Sequence, residues 1–340
     1  MRKLVTVRQI DEIHPIEGAD AIVRARIGGW DVVVKKDEFT EGGLCVYFEI
    51  DSFLPESDYR YQFLMDRGKI MWNGHHGARL KTIKLRGQIS QGLALPANDF
   101  PEVEQAYNGI PQDQDFSELL NVLKWEPIIP AQLAGQMRGN FPHFLCKTDQ
   151  ERAQNMVRDI FEKAREYEVT TKLEGSSMTV YMHEGRFGVC SRNIDLKTDN
   201  DGNAFVSLAK KIGLDEHLPD GFAIQGELMG PGVQGNIEGF NEPKFFVFDV
   251  YNIADQKYLR THDRVNFVLD LKEKGLEIDH VPVIAHASLE KLGIETIDDL
   301  LAYADGPSIN FKYREGVVFK DLDDPNFTFK AISNKYLMKT

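Results

Sequence analysis

The sequence predicts an α+β protein of two domains: a small N-terminal β-barrel, then a larger domain of antiparallel sheets with a few helices. Three observations carry this. The first third holds short alternating strands separated by turn signals, Gly28-Gly29 among them. A stretch broken by Pro127, Pro130, Gly135, Gly139 and Pro142 follows. Beyond it strands and helices mix with irregular connections, which favours α+β over a doubly wound sheet. With 340 residues the chain can bury two cores.

Residues 1–125 supply the strands of the first domain. Ala21–Ile27 partly alternates, Trp30–Val34 resumes after the glycine turn, Leu44–Ile50 is a third run and Arg79–Leu85 alternates again. Many short strands over this length fit an OB-like β-barrel, with a small sandwich as the rival. Residues 126–147 read as a linker. Residues 148–340 form the second domain. Thr148-Asp149-Gln150-Glu151 reads as a capping box, with Ala153, Met156, Val157, Ile160, Phe161 and Ala164 at helical spacing behind it. Further helices are expected near 203–212 and 261–274, the latter capped by Thr261 and ended by Gly275. Met178, Val180 and Met182 share one strand face, and His183-Glu184-Gly185-Arg186 turns into the next strand. Phe222–Leu228, Phe245–Tyr251, Glu315–Lys320 and Phe327–Ile332 complete the strands.

Composition narrows the function. The 53 acids against 40 bases give a net charge of −13. That disfavours a broad phosphate-binding surface, although carboxylates suit a site that holds Mg²⁺. The one clear basic cluster, Arg79, Lys81, Lys84 and Arg86, follows Asn73–Gly77 and reads equally well as a phosphate contact or as a charged edge strand. Cys45, Cys146 and Cys190 are far apart and form no zinc spacing, as expected of reduced thiols. No apolar run reaches the ~18–20 residues of a membrane span, and the start does not read as a signal peptide. A cytoplasmic or nuclear monomer is expected.

Three motifs are set aside. Gly230-Pro231-Gly232-Val233-Gln234-Gly235 matches G-x-G-x-x-G, but the residues after it read as loop, not as the helix whose N-terminus a pyrophosphate needs. No Walker A sequence is present, and the histidines form no HExxH. Lys172-Leu173-Glu174-Gly175 is more telling. Lys-x-acid-Gly alone arises by chance in roughly 10–20% of chains this long, so it needs company. The company is Ser191-Arg192-Asn193, Gln225-Gly226-Glu227, Phe246-Val247-Phe248-Asp249, Glu315-Gly316-Val317-Val318-Phe319-Lys320 and Phe329-Lys330, in that order. Taken singly, each reads as a core strand with solvated ends.

Together these stretches resemble the covalent nucleotidyltransferases, the ATP-dependent polynucleotide ligases and mRNA capping enzymes. Placement of the OB-like domain ahead of the catalytic domain resembles the fifth RNA ligase family. The resemblance implies a nucleotidyltransferase (ATP-grasp-like) second domain that joins 3′-OH and 5′-phosphate ends of RNA, in nicked duplex RNA or an RNA/DNA hybrid. ATP would be the substrate and Mg²⁺ or Mn²⁺ the metal. It further implies that Lys172 accepts AMP and that Glu174, Glu227 and Glu315 hold the metal, mainly through water. Arg192 and Glu227 would contact the nucleotide, Phe248 would stack on the base, and Lys320 and Lys330 would contact phosphate. Lys147 and Arg152 are candidates for the pyrophosphate end. One departure stands out: relatives often have a lysine two residues after the one matched by Lys330, where this chain has Ile332, and Lys335 is the nearest replacement. The rival functions are a DNA ligase, a capping-type guanylyltransferase and a non-enzymatic OB-type nucleic-acid binder.

The chemistry explains the residue types. A free lysine has a pKa of ~10.4, so neutralising it at pH 7 costs roughly 4.6 kcal/mol. A carboxylate touching Lys172 stabilises the ammonium, so acids beside it make sense only with a cation between them.

Overall fold

The computed structural model describes residues 2–126, 135–199 and 202–338. The chain divides into two compact units, Met1–Ile128 and Ile129–Thr340. Of the expected linker, residues 127–134 lie outside the described residues, whereas Met137–Asn140 is a strand paired with Ile194–Leu196.

In the first unit, Leu44–Phe48 is the centre of a three-stranded sheet, flanked by Val5–Gln9 and Leu93–Pro96. Ile22–Ile27 and Trp30–Lys35 form the expected hairpin across Gly28-Gly29. Val46, Phe48, Leu54, Tyr61 and Phe100 fill one core, and Trp30, Val32, Cys45 and Tyr47 a second. The single strand expected over Arg79–Leu85 is instead two, His75–Arg79 and Ile83–Leu85. The second belongs to a separate ribbon with Gln88–Ser90, turned by Arg86 and Gly87, both at positive φ as a tight two-residue hairpin requires. Arg79 is engaged within its own unit: it pairs with Asp51 at 2.6 Å and lies 3.6 Å over the Trp125 ring.

The second unit holds two sheets. One runs in the order Met137–Asn140, Ile194–Leu196, Arg186–Cys190, Ser176–His183, Phe222–Met229, Lys244–Asn252, Lys257–Tyr258, with Asp279–His280 parallel to Lys244–Asn252. The other runs Glu151–Arg152, Thr328–Ile332, Gly316–Asp321, Glu166–Lys172, Val283–Ser288. Antiparallel pairing dominates both. Asn203 caps the helix Ala204–Ile212 by accepting from two backbone N–H groups, and that helix buries Val206, Leu208, Ala209 and Ile212 on the larger sheet.

The second sheet alternates along its central strands, apart from Thr171, which reaches the cleft with Thr170 and Lys172. Tyr167, Val169, Val317, Phe319, Phe329 and Ala331 face a core in which the Phe319 and Phe329 rings stack at 4.9 Å. The residues between them, Glu168, Thr170, Lys172, Val318, Lys320 and Lys330, therefore share the opposite face.

Two further expectations fail. Thr148–Glu151 caps no helix: Glu151–Arg152 pairs parallel with the final strand, and Glu151 accepts from Asn155 and the Arg152 N–H. The helix behind it shrinks to a 3₁₀ turn, Ala153–Asn155, and Val157–Phe161. The backbone here goes to the sheet, so the helical spacing of its apolar residues serves only to bury Ala153 and Ile160 beside Phe329. The helix Thr261–Glu273 forms as expected, but its cap position is Arg260 and no side chain caps it. Among the described residues, no helix is long and apolar enough to cross a membrane.

Candidate active site

The shared face of the second sheet floors a cleft. It is lined by Thr170, Thr171, Lys172, Val318, Lys320 and Lys330 from that sheet, by Ser177, Glu227 and Phe248 from the larger one, and by Thr148–Gln150, Arg192 and Val281. Four cations against two acids line it, so a chain of net charge −13 still presents a basic pocket.

Lys172 ends its strand opposite Gly316, and its Nζ lies 2.6 Å from Glu315 Oε2. Both acidic motifs sit beside a glycine for a steric reason. A Cβ on Gly316 would fall 2.1 Å from the Ala331 carbonyl oxygen, and one on Gly175 would fall 2.7 Å from that of Leu228 and 3.1 Å from Glu227 Oε2. The glycines let the strands bring Glu174, Glu227 and Glu315 around one lysine. Burial raises the Glu174 carboxyl and Glu315 adds to the rise, while the neighbouring Tyr336 hydroxyl and Gly235 N–H oppose them. Burial pushes Glu227 up to about 7, against the pull of Lys172 and Arg192 and with the push of Glu315.

Glu174 Oε2 and Glu227 Oε2 are both sealed from solvent without a hydrogen-bond partner. Orphaned buried oxygens are costly, and like-charged neighbours make them more so. Among the described residues, no three His, Cys, Asp or Glu side chains are placed to ligate an ion directly. The sealed oxygens of Glu174 and Glu227, with Glu315 near both, fit a hydrated divalent ion held through its waters, as Mg²⁺ prefers.

Phe248 owes its place to a β-bulge. The register between Phe222–Met229 and Lys244–Asn252 shifts so that Gln225 faces Asp249 but Gly226 faces Val247. Val247 and Val250 both enter the same core, so the two residues between them, Phe248 and Asp249, turn to the cleft side together. Phe248 lines the cleft, and Asp249 reaches under it to Lys320, whose Nζ donates to Asp249 Oδ1 and to the Phe248 carbonyl, each at 2.5 Å.

Asp149 holds the other cations, 3.4 Å from Lys330 Nζ and 3.7 Å from Arg192. Its segment is fastened by Gln225, whose Nε2 donates to the Cys146 carbonyl at 2.7 Å. Four candidates fall outside the lining: Glu315, paired with Lys172 at its edge, Glu174, two residues along from Lys172, and Lys147 and Arg152. Lys147 donates to Asn193 at 3.0 Å, and Arg152 is buried in the strand alongside Lys330. Ile332 is buried opposite Gly316, and Lys335 pairs with Asp305 at 3.2 Å. From that last segment it is Tyr336 that reaches the site, at Glu174. Asp149, Asp249 and Tyr336 had no assigned role in the sequence; only Asp249 carried a signal, as the acid closing an aromatic strand.

Comparison with known proteins follows this geometry. An OB-fold domain model matches residues 4–97, and an RNA ligase model matches residues 165–336. The structure of a Naegleria gruberi RNA ligase with PPi is 44% identical, with a TM-score of 0.91, over 100% of this chain and 99% of that one. The chain belongs to the RNA ligase family. Two further structures of the Naegleria gruberi ligase align as closely as the first. A lysine-to-alanine mutant with ATP and Mn is 43% identical over 99% of each chain, and a lysine-to-methionine mutant with AMP and Mn is 44% identical over 100% of this chain and 99% of that one, both with TM-scores of 0.91. No curated protein matches. The expected OB-fold domain ahead of an antiparallel ligase domain is thus the architecture of this ligase.

Proposed function

We propose that this RNA ligase joins 3′-OH and 5′-phosphate RNA ends, in nicked duplex RNA or an RNA/DNA hybrid, using ATP and a lysyl-AMP intermediate on Lys172. The observation that carries the reading is the setting of Lys172: an amine 2.6 Å from Glu315, beside two carboxylates with sealed, partnerless oxygens, in a pocket of cations and one aromatic. The bound ATP, AMP and Mn of the Naegleria gruberi structures support the same chemistry.

Lys172 is paired directly with Glu315, and only a neutral amine can attack phosphorus. Glu174, Glu227 and Glu315 would hold Mg²⁺ or Mn²⁺ through its waters, and that ion would neutralise both the carboxylates and the α-phosphate. Lys172 then loses its proton to solvent and attacks the α-phosphorus. The P–N bond forms as the bond to pyrophosphate breaks. Arg192, Lys320 and Lys330 stabilise charge on the phosphates, and Phe248 offers its face to the base. A 5′-phosphate oxygen next attacks the lysyl-AMP phosphorus and releases Lys172. The 3′-OH finally attacks that 5′-phosphate, and AMP leaves. Lys147 and Arg152, outside the cleft lining, have a weaker claim to the pyrophosphate end.

The test is direct. With α-labelled ATP and Mn²⁺ or Mg²⁺, label stays on the wild-type protein in a denaturing gel, and Lys172→Met takes none. Label that persists in Lys172→Met defeats the assignment of the lysine. Failure of the wild type to join any nicked RNA end defeats the end-joining chemistry while leaving adenylylation standing.

A further inference from the structure

The glycine-rich run after Phe222–Met229 opens no helix, yet it is a highly ordered turn. Val233 N donates to Gly230 O, Asn236 N to Val233 O and Gly239 N to Asn236 O, at 2.9–3.1 Å. Asn236 closes the turn with its side chain, donating from Nδ2 to Phe240 O at 3.0 Å and accepting from Phe240 N at 3.2 Å. Gln234 and Asn236 both hold left-handed backbone, at φ 46° and 42°, a conformation that costs a non-glycine residue on the order of 1 kcal/mol. Between them Gly235 packs against the Glu174 carboxylate: a Cβ there would lie 3.6 Å from Glu174 Oε1.

What holds this strained turn is Glu238, 4% exposed. Its carboxylate accepts from the Ser308 hydroxyl and from the Asn310 N–H, the latter at 2.5 Å, and Asn310 Nδ2 donates back to the Glu238 carbonyl at 3.2 Å. The loop that bears Ser308 and Asn310 is in turn tied down by buried Arg314. The guanidinium donates to the Ala304 carbonyl at 3.0 Å and to the Tyr303 carbonyl at 2.6 Å, and the Arg314 N–H to Gly306 O at 2.8 Å. The next residue is Glu315.

We propose that Glu238 is a positioning residue that clasps the loop holding Glu174 to the loop carrying Glu315, and so sets the spacing of the two carboxylates that bind the metal. The inference rests on the metal-binding reading above. Glu238 does not touch the ion; it acts through Gly235 on one side and through the Arg314-anchored loop on the other. A carboxylate suits the clasp because Asn310 offers only a donor there, which an apolar side chain would leave unpaired. An amide also fits: its oxygen can face the Asn310 N–H while its NH₂ donates to the Ser308 hydroxyl, which can accept as well as donate.

The experiment measures Mn²⁺ binding to the full chain by electron paramagnetic resonance without nucleotide, alongside lysine labelling from α-labelled ATP. Loss of such supporting contacts costs roughly 10–100-fold in metal affinity, so Glu238→Ala is expected to bind Mn²⁺ at least about tenfold more weakly. Its labelling should recover as Mn²⁺ is raised, while Glu238→Gln stays close to wild type in both assays. Ser308→Ala removes one arm of the clasp without opening the buried site, and should show a smaller weakening; it serves if Glu238→Ala fails to fold. Wild-type Mn²⁺ affinity in Glu238→Ala, or in Ser308→Ala should that be the variant that folds, overturns the clasp. So does a Glu238→Gln as impaired as the alanine variant, which would make charge rather than geometry the cause. A wild-type protein that binds no Mn²⁺ removes the metal reading itself, a separate result.

Discussion

The Nζ of Lys320 lies 2.5 Å from Asp249 Oδ1, in a position where both residues are buried. The ammonium has three donors; Asp249 and the Phe248 carbonyl take two, which leaves one for the cleft. Beneath the pair, Arg264 is 1% exposed, bonded to Glu168 and 3.1 Å from His280 Nε2, with His286 3.4 Å from the far oxygen of Glu168. Lys320, one of four cations lining the cleft, is thus held from below by a largely buried network of charges.

Burial pulls the Lys320 pKa below its ordinary value; Asp249 opposes this, Arg264 adds to it and Glu168 opposes it more weakly. Asp249→Asn removes the largest opposing charge, so Lys320 loses its proton at a lower pH than in the wild type. If its cation stabilises the reacting phosphate, lysine labelling in Asp249→Asn falls on the alkaline side sooner than in wild type, with the acid side little changed. Asp249→Asn combined with Lys320→Arg restores the alkaline limb, because a guanidinium stays protonated. Superimposable pH profiles for Asp249→Asn and wild type would count against a charged role for Lys320.

Glu227 yields a stability prediction with a definite sign. Its carboxyl is raised from 4.5 to about 7, so the folded state holds the proton more tightly than the unfolded one. Its charge therefore destabilises the fold: not at all below 4.5, increasingly between there and 7, and fully above. Glu227 is only half-buried as a residue, but its Oε2 is sealed, and the sealed atom sets the penalty. With a chelator present, Glu227→Gln is expected to be more stable than wild type above pH 7, by on the order of 3 kcal/mol at most, and equal to it at low pH. Urea unfolding across pH reads this out. The same variant should lose lysine labelling, the usual exchange of stability for a working site.

Gly316→Ala should fail for a steric reason. The new methyl would meet the Ala331 carbonyl at 2.1 Å and push the strand Gly316–Asp321, whose Gly316 lies opposite Lys172, away from Thr328–Ile332. A loss of ~2–4 kcal/mol in urea unfolding is expected, together with loss of labelling. Gly139→Ala, where a Cβ meets nothing within 4 Å, should leave both near wild type.

Period-two patterning made the second sheet legible: Phe319 and Phe329 inward require Lys320 and Lys330 outward. The helix expected near 203–212 likewise forms, as Ala204–Ile212. Thr148–Glu151 misled because a capping box and a strand entering a sheet can share the same letters; what separates them here is the distant partner Phe329. Tyr336 was invisible, since nothing in its neighbourhood marks a phenol that reaches Glu174 across 162 positions of chain. The bulge was invisible too, because it breaks the alternation by which strand faces are read.

That bulge supports the last prediction. Without the extra residue, Phe248 and Asp249 would point to opposite sides; with it, one residue lines the cleft while the next anchors Lys320 beneath. If the ring stacks on the adenine, it contributes through its face rather than its bulk. Phe248→Leu, which keeps an apolar group over Lys320, should then raise the ATP concentration for half-maximal labelling almost as much as Phe248→Ala. Stacking on a base is worth ~1–3 kcal/mol, so a rise of roughly 5- to 150-fold is expected for alanine. Phe248→Tyr should stay near wild type, since it keeps the face. A leucine variant with wild-type ATP dependence would make the ring a hydrophobic wall and reassign the base to another surface of the cleft, where Val281 and Val318 are the remaining apolar groups besides Leu173.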